Sequence, residues 1–326
     1  YELFFMDSVP DSAACNLSVK LAVDHGFGSL RGFVNGVLRN IARNRDGIKY
    51  PDKNTSPLEY YSVEYSVSVA LVEILLQDYD SETVDRILGS SYEMRPTSIR
   101  VNTDRISVDE FERKLEAAGI ETVRGSLNDT SLLIKGYDYV RRIPGFMDGE
   151  FVVQDQSSCL AVKAAGIQEG DLVVDVCAAP GGKTMYAASL AGQTGRVISR
   201  DLTENKTELI EENVDRLGLT NVTVEAWDAR ELDENLVGKA DVVIADLPCS
   251  GLGIMGRKND IKYNVTGDSI DELAQLQRDI LDTVSGYVRP GGTLVYSTCT
   301  IDSRENQNNV KWFVENHDFE TVSIDE

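Results

Sequence analysis

From about residue 151 onward, short apolar runs alternate with amphipathic stretches. The runs LVVDVCA (172–178), GRVISRDL (195–202), VTVEAWDA (222–229), ADVVIADLP (240–248) and TLVYSTCT (293–300) are rich in Val, Ile and Leu and predict strands. Residues 183–192, 204–218 and 269–288 carry apolar side chains at helical spacing and predict helices. Mostly apolar strands separated by amphipathic helices predict a parallel, doubly wound α/β sheet covered on both faces.

Upstream the pattern changes twice. Residues 1–50 read as helical: SAACNLSVKLAVDHG stops at Gly26, and FVNGVLRNIARN puts Phe33, Val34, Val37, Leu38 and Ile41 on one face, with Arg39 and Arg43 on another. DGIKYPDKNTSP (46–57) is polar, contains Pro and reads as a linker. Residues 57–150 read as a small α+β module. It has helices near 63–77 and 80–90, a strand in TSIRVNT, a helix over 107–120, and strands in SLLIKG and FVVQD. Ser107 with Glu110 three residues on forms a capping box for that third helix. The α/β domain then occupies 151–326, and no internal repeat appears.

The formal net charge of −22 disfavours indiscriminate nucleic-acid binding, because a polyanion is repelled at long range. A local basic surface is still allowed. Residues 31–49 hold Arg31, Arg39, Arg43, Arg45 and Lys49 against one acid, Asp46, which on its own reads as a solvated helix face. The five cysteines (15, 159, 177, 249 and 299) are scattered and form no CxxC pair. That fits a reducing cytoplasm and argues against a disulfide framework or a structural zinc site. Only His25 and His317 are available for histidine chemistry or metal binding. No run is long and apolar enough to span a bilayer. The chain opens on Tyr1 with no signal peptide, so the amino terminus is expected to be clipped.

Ligands of such a sheet bind beyond the carboxyl ends of its strands. At the first of these ends stands VCAAPGGKT, where Ala178 and Ala179 are small, Pro180 turns the chain, and Gly181 and Gly182 let a ligand approach the backbone. This is neither GxGxxG nor a P-loop, which argues against a triphosphate. Asp201, Asp228 and Asp246 follow at the ends of the next strands. A carboxylate after the second strand suits a ribose diol, and Asp228 suits an adenine amino group. The ordered series describes a nucleoside cofactor without a pyrophosphate clamp, which points toward S-adenosylmethionine. Two further strand ends carry cysteines, Cys249 in ADLPCSGLG and Cys299 in VYSTCT.

With CAAPGGK, DLPCSG and STCT together, the chain resembles the bacterial RNA cytosine-C5 methyltransferases. It is most similar to their Sun/Fmu branch, which modifies small-subunit ribosomal RNA and carries a NusB-like domain ahead of the catalytic part. YELFFMD and FVNGVLRNI resemble the second half of that domain, and RPTSIRVNT and GFMDGEFVVQDQSS resemble the intermediate domain and its junction. The resemblance implies a Rossmann-like S-adenosylmethionine-dependent methyltransferase domain (151–326) after a small α+β domain (57–150) and a partial all-α NusB-like domain (1–50). It implies that Cys177, Ala178, Ala179, Pro180, Gly181, Gly182 and Lys183 form the cofactor loop and that Asp201, Asp228 and Asp246 complete the site. It also implies Cys299 as nucleophile and Cys249 as the group that helps release product. The first half of the NusB-like part and the final strand pair of the sheet are expected but absent, and VEYSVSVALV lacks an expected Pro and Trp.

The implied chemistry makes sense of two thiols. Thiolate attack at C6 breaks the aromaticity of cytosine and makes C5 enamine-like, and a thiol is both an apt nucleophile and a good leaving group. An acid or hydrogen-bond donor near N3 must stabilise the developing charge; Asp246, if protonated or bridged by water, is the candidate, with Lys183 helping to orient the base. The C5 proton must then leave before the first thiol is eliminated, which is the task suited to Cys249. The residues alone leave open which cysteine attacks, since cytosine methyltransferases acting on DNA use the one in a Pro-Cys pair. The base must be exposed or flipped. Arg257, Lys258 and Lys262 after the Cys249 loop, with Arg39 and Arg43, are candidate RNA contacts that also read as solvated surface. By resemblance the substrate is 16S ribosomal RNA at the cytosine of position 967. Transfer RNA and a non-catalytic ribosome-assembly role stay open as alternatives. The expected protein is a cytoplasmic monomer without membrane or metal.

Overall fold

The computed structural model describes residues 1–324. The chain forms two compact units, Tyr1–Glu64 and the remainder from Tyr65.

The first unit comprises helices α1 (Glu2–Phe5), α2 (Asp11–Asp24), α3 (Arg31–Arg43) and α4 (Pro57–Glu64). Leu38, Ile41 and Ala42 of α3 pack on Leu3, Ala14 and Cys15. The apolar face expected on α3 is only partly covered, since Phe33 is 69% and Val37 42% exposed. Successive residues turn by about 100°, so α2 reaches the side carrying Leu38 and Ile41 while Phe33 and Val37 lie further round the cylinder.

The second unit opens with α5 (Val69–Asp78) and α6 (Ser81–Ser90). The single helix expected near 63–77 is therefore divided. α4 ends at Glu64, Ser66 takes a left-handed φ of 48°, and Ser68 caps α5 by accepting from the Leu71 N–H at 3.1 Å. Serine hydroxyls compete with the backbone for such donors and favour helix starts over helix interiors.

Four strands, β1 (Thr97–Val101), β2 (Glu121–Arg124), β3 (Ser131–Lys135) and β4 (Phe151–Val153), form an antiparallel sheet ordered β2-β3-β1-β4. The edge strand β2 escapes a sequence reading because its largely exposed ETVR shows no apolar alternation. Helix α7 (Val108–Ala117) starts with the expected capping box at Ser107 and Glu110. Its Phe111 and Leu115 close a core with Ile99, Val101, Leu132, Ile134 and Phe151. The period-2 geometry sends Ser98, Arg100 and Ser131 to the opposite face, where they are also buried. There Arg100 Nε donates to Gln154 Oε1 at 2.8 Å, and the guanidinium lies 4.4 Å from the Tyr186 ring centre.

The larger sheet is parallel and ordered β7-β6-β5-β8-β9, from β5 (Leu172–Asp175), β6 (Arg196–Asp201), β7 (Val222–Ala226), β8 (Ala240–Asp246) and β9 (Val288–Ser297). Helices α8 (Gln156–Ala164) and α9 (Gly182–Ala191) bury one face through Cys159, Val162, Ala187 and Ala191 against Val173, Val197, Val242 and Ile244. Ile210 and Val214 of α10 (Glu204–Leu217) pack with Met185 of α9. After the short α11 (Ile261–Asn264), helices α12 (Gly267–Ser285) and α13 (Gln307–Asn316) cover the other face with Ile280, Leu281, Val284 and Phe313. This is the doubly wound arrangement that the apolar runs predict. Chain order reverses at β5, flanked by β6 and β8, so a ligand crevice is expected beyond the carboxyl ends of those strands. Among the described residues no helix is long and apolar enough to cross a membrane.

Phe151 is fully buried, its ring centre 5.4 Å from Phe111 and 5.6 Å from Phe146. Phe151→Ala is expected to lower stability by about 3–5 kcal/mol, read as a fall in the urea midpoint by circular dichroism.

Candidate functional site

The strand ends build the site. Beyond β5 the chain runs through Val176–Gly181 into α9. The Ala178 N–H donates to Arg200 O at 2.9 Å and the Gly181 N–H to Ala178 O at 2.7 Å, drawing the loop into a tight turn. Gly181 takes φ 102°, and a Cβ there would stand 2.8 Å from Met185 Cε. Glycine is required there by the left-handed φ and by the close packing of α9 and α10 behind the loop.

Each expected carboxylate already has partners. Asp201 Oδ2 accepts from the Ala179 N–H at 2.9 Å, while Oδ1 accepts from the Leu202 N–H at 2.8 Å and Lys206 Nζ at 2.9 Å. Asp228 is held below the usual carboxylate range by Arg230, whose Nη2 donates at 2.6 Å. Asp246 Oδ2 accepts from Lys183 Nζ at 2.5 Å and Oδ1 from Ser297 Oγ at 2.7 Å. Beneath the loop Asp175 is fully buried, and burial pushes its pKa up to about 7 although Thr184 Oγ1 donates to it at 2.7 Å. Burial also pushes the Cys177 thiol up to about 12, which disfavours its thiolate.

The parallel register explains how two cysteines fifty residues apart meet. Asp246 on β8 pairs with Ser297 on β9. Cys249 lies three residues past the first and Cys299 two past the second, and their sulfurs stand 3.2 Å apart. The Cys299 N–H donates to Cys249 Sγ at 3.2 Å. The thiol contact from Cys249 draws the Cys299 pKa down to about 7 and pushes Cys249 well up. The contact thus favours negative charge on Cys299, the exposed member. The Gly253 N–H donates to Cys299 O at 3.0 Å, and a Cβ on Gly253 would meet that oxygen at 2.8 Å.

The basic candidates separate. Arg257 is exposed and pairs with Asp155 at 2.7 Å, and Lys258 is exposed in the same loop. Lys262 is not at that surface: it is 4% exposed, its ammonium 4.0 Å above the Tyr92 ring, and burial holds its pKa below the ordinary lysine value. Arg39 and Arg43 are exposed on α3 in the first unit. No cluster of His, Cys, Asp or Glu able to hold a metal occurs among the described residues.

The donor set suits a nucleoside carrying positive charge. Carboxylates stand at or just past the ends of β6, β7 and β8, three strands successive in the chain, and a glycine loop lies at the switch point, where Lys183 is engaged by Asp246. Sequence reading missed Ser250, Gln277, Ser297, Thr300, Glu305 and Asn306, which surround the cysteines. These are common polar residues, so only the fold reveals their convergence.

Comparison with known proteins agrees. A family model described as 16S rRNA methyltransferase RsmB/F matches residues 163–325, the NusB family matches 1–43, and the ferredoxin-like domain of RsmF/B-like methyltransferases matches 70–140. The probable ribosomal RNA small subunit methyltransferase B of Bacillus subtilis is 36% identical over 323 residues, which cover 98% of this chain and 71% of that protein. Ribosomal RNA small subunit methyltransferase B of Vibrio cholerae is 34% identical over 316 residues, with coverage of 97% and 71%. The crystal structure of PH0851 superposes with a TM-score of 0.82 at 28% identity, over 97% of this chain and 71% of that one.

Alkylation of Cys299 by iodoacetamide, followed by mass spectrometry, is expected to rise through a midpoint near pH 7, because the thiolate reacts and its pKa is lowered to about 7. In Cys249→Ala the donor is gone, and the midpoint is expected to move up toward the ordinary thiol value of about 8.5.

Proposed function

The chain belongs to the 16S rRNA methyltransferase RsmB/F family, and on that premise we propose that it methylates C5 of a cytosine in small-subunit ribosomal RNA through a transient bond between Cys299 and C6. The observation that carries this reading is the 3.2 Å approach of two unequal thiols at neighbouring strand ends. The cytosine of position 967 is the proposed target.

S-adenosylmethionine is the cofactor and, when bound, supplies a methyl group made electrophilic by its sulfonium. The loop from Cys177 through Gly182 would hold it through backbone, with Asp201 at the ribose, Asp228 at the adenine and Asp246 beside the reacting end. The proposed domains are a partial NusB-like domain (1–50), an intermediate domain (57–150) and the catalytic domain (151–326). Their support is the order of the three family matches. A flipped cytosine would sit beside Cys299, with exposed Arg257 and Lys258 to hold phosphates and Arg39 and Arg43 as further contacts. The protein is proposed to work as a cytoplasmic monomer.

The chain's own groups act in sequence. Cys299, the sulfur on which negative charge is favoured, attacks C6, and the ring's electron pair shifts so that C5 gains carbanion character. Lys183, whose Nζ donates to Asp246 at 2.5 Å, places a hydrogen-bond donor where charge gathers at N3. Once C5 carries both a methyl group and a hydrogen, a base must remove the hydrogen as a proton. The largest cause of the raised Cys249 pKa is its hydrogen bond to the Cys299 sulfur. When Cys299 becomes a thioether, that bond and the neighbouring negative charge are lost, so Cys249 becomes a more acidic thiol and its thiolate is available as base. The electrons of the broken C–H bond restore the C5–C6 double bond, and Cys299 departs as thiolate.

With S-adenosylmethionine and small-subunit RNA, Cys299→Ala is expected to give no covalent RNA adduct and to lower methyl transfer by at least about a thousandfold. Cys249→Ala is expected to accumulate the adduct, seen as an RNA-shifted band on denaturing gels. The reverse pattern would exchange the two roles. No methyl transfer by the unsubstituted protein to small-subunit RNA would overturn the reading.

A further inference from the structure

Behind the two cysteines lies a buried polar cluster that neither thiol chemistry nor cofactor binding uses. Glu305, at 0% exposure, accepts three hydrogen bonds. Its Oε1 receives the Ser250 N–H at 2.9 Å and Gln277 Nε2 at 2.9 Å, and its Oε2 receives Ser250 Oγ at 2.5 Å. Gln277 Nε2 also donates to Pro248 O at 2.8 Å. Both neighbours of Cys249, Pro248 and Ser250, are thereby tied to one carboxylate system. The next residue, Asn306, does the same for Cys299. Its Oδ1 accepts from Thr298 Oγ1 at 2.7 Å and its Nδ2 donates to Thr300 O at 3.2 Å. Ser250 Oγ and Thr300 Oγ1, 2.7 Å apart, join the two halves.

We infer that Glu305 is a positioning residue which, with Asn306, holds the Cys249 and Cys299 loops in the mutual geometry that attack and release require. A buried carboxylate costs several kcal/mol to desolvate unless its lone pairs are filled. Here every donor comes from the Cys249 loop or from Gln277, which holds that loop, so the cost is offset only when the loop is in place. Nothing about the folding of the sheet requires an acid at this point. Tyr296 reaches the Glu305 backbone carbonyl rather than its side chain, so the stitching of β9 to α13 would survive loss of the carboxylate.

This inference rests on the proposed two-thiol chemistry, yet its geometric part can be read without RNA. With glutathione disulfide as oxidant, the Cys299 thiolate displaces one glutathione. Cys249, losing its proton, then displaces the second, leaving an intramolecular disulfide and two reduced glutathiones. The rate of that closure, followed by mass spectrometry, reports how well the sulfurs are held together. In Glu305→Ala the closure rate is expected to fall about tenfold or more and kcat for methyl transfer about a hundredfold, with KM for S-adenosylmethionine unchanged. Glu305→Gln is expected to keep both within about threefold. Its oxygen accepts from the Ser250 N–H and Gln277, while the Ser250 hydroxyl turns to accept from the new amide and donate to Thr300.

Should Glu305→Ala fail to fold by circular dichroism, Ser250→Ala carries the test. It removes the link between the loops and is expected to slow closure in the same direction by a smaller factor. Wild-type closure and kcat in folded Glu305→Ala, or wild-type closure in Ser250→Ala where that variant is the test, would overturn the inference. An unsubstituted protein that closes the disulfide rapidly but methylates no RNA would instead overturn the proposed function and leave the positioning role standing.

Discussion

The site depends on the parallel pairing of β8 with β9. Neighbouring parallel strands are locked by evenly spaced hydrogen bonds, and a slip of one residue would turn every side chain to the opposite face. Apolar residues on both faces forbid such a slip, because Val243 and Ala245 pack into one layer of the core while Val242 and Ile244 pack into the other. With Asp246 fixed opposite Ser297, the two cysteines have little choice of position. Hydrophobic burial inside the sheet is in this sense what sets a sulfur–sulfur distance outside it.

Electrostatics then makes the two equivalent atoms unequal. Each cysteine lies past the end of its strand, and both are partly shielded from water. The difference comes from their mutual contact, which draws the thiol of Cys299, the more exposed of the two, down and that of Cys249 up. The same economy governs the carboxylates. Lys206, Arg230 and Lys183 neutralise Asp201, Asp228 and Asp246 one for one, so a chain with a net charge of −22 keeps its ligand crevice from being a concentrated acidic hole. Hydrogen-bond donors of a ligand can take the place of Lys206 and Arg230 at modest cost, because both are more than half exposed.

Much of this was legible in the linear sequence. Apolar runs of Val and Ile marked all five parallel strands, most plainly β5, β6 and β8 in the middle of the sheet, where burial on both faces leaves a nearly unbroken hydrophobic trace. Ser107 with Glu110 announced a helix start by local chemistry alone. The failures follow a physical rule as well. β2 is an exposed edge whose ETVR carries no pattern. The break after Glu64 turns on serines whose hydrogen bonds are visible only in three dimensions. Lys262 looked like a free surface cation because no local signal tells that Tyr92, 170 positions earlier, lies beneath it. The site divides along the same line. Glycines, cysteines and strand-end acids stand out by type and position, whereas Glu305 and Gln277 matter through contacts made across the fold.

Gly253 carries a consequence for how this active site can change. Its α-carbon faces the carbonyl of Cys299 so closely that even a methyl group would have to displace that backbone. No side chain fits there, since every substitution would push on the backbone that carries the Cys299 sulfur. Elsewhere on the same loop change is freer at exposed Arg257, whereas exposed Lys258 joins Cys249 in drawing the Cys299 thiol down.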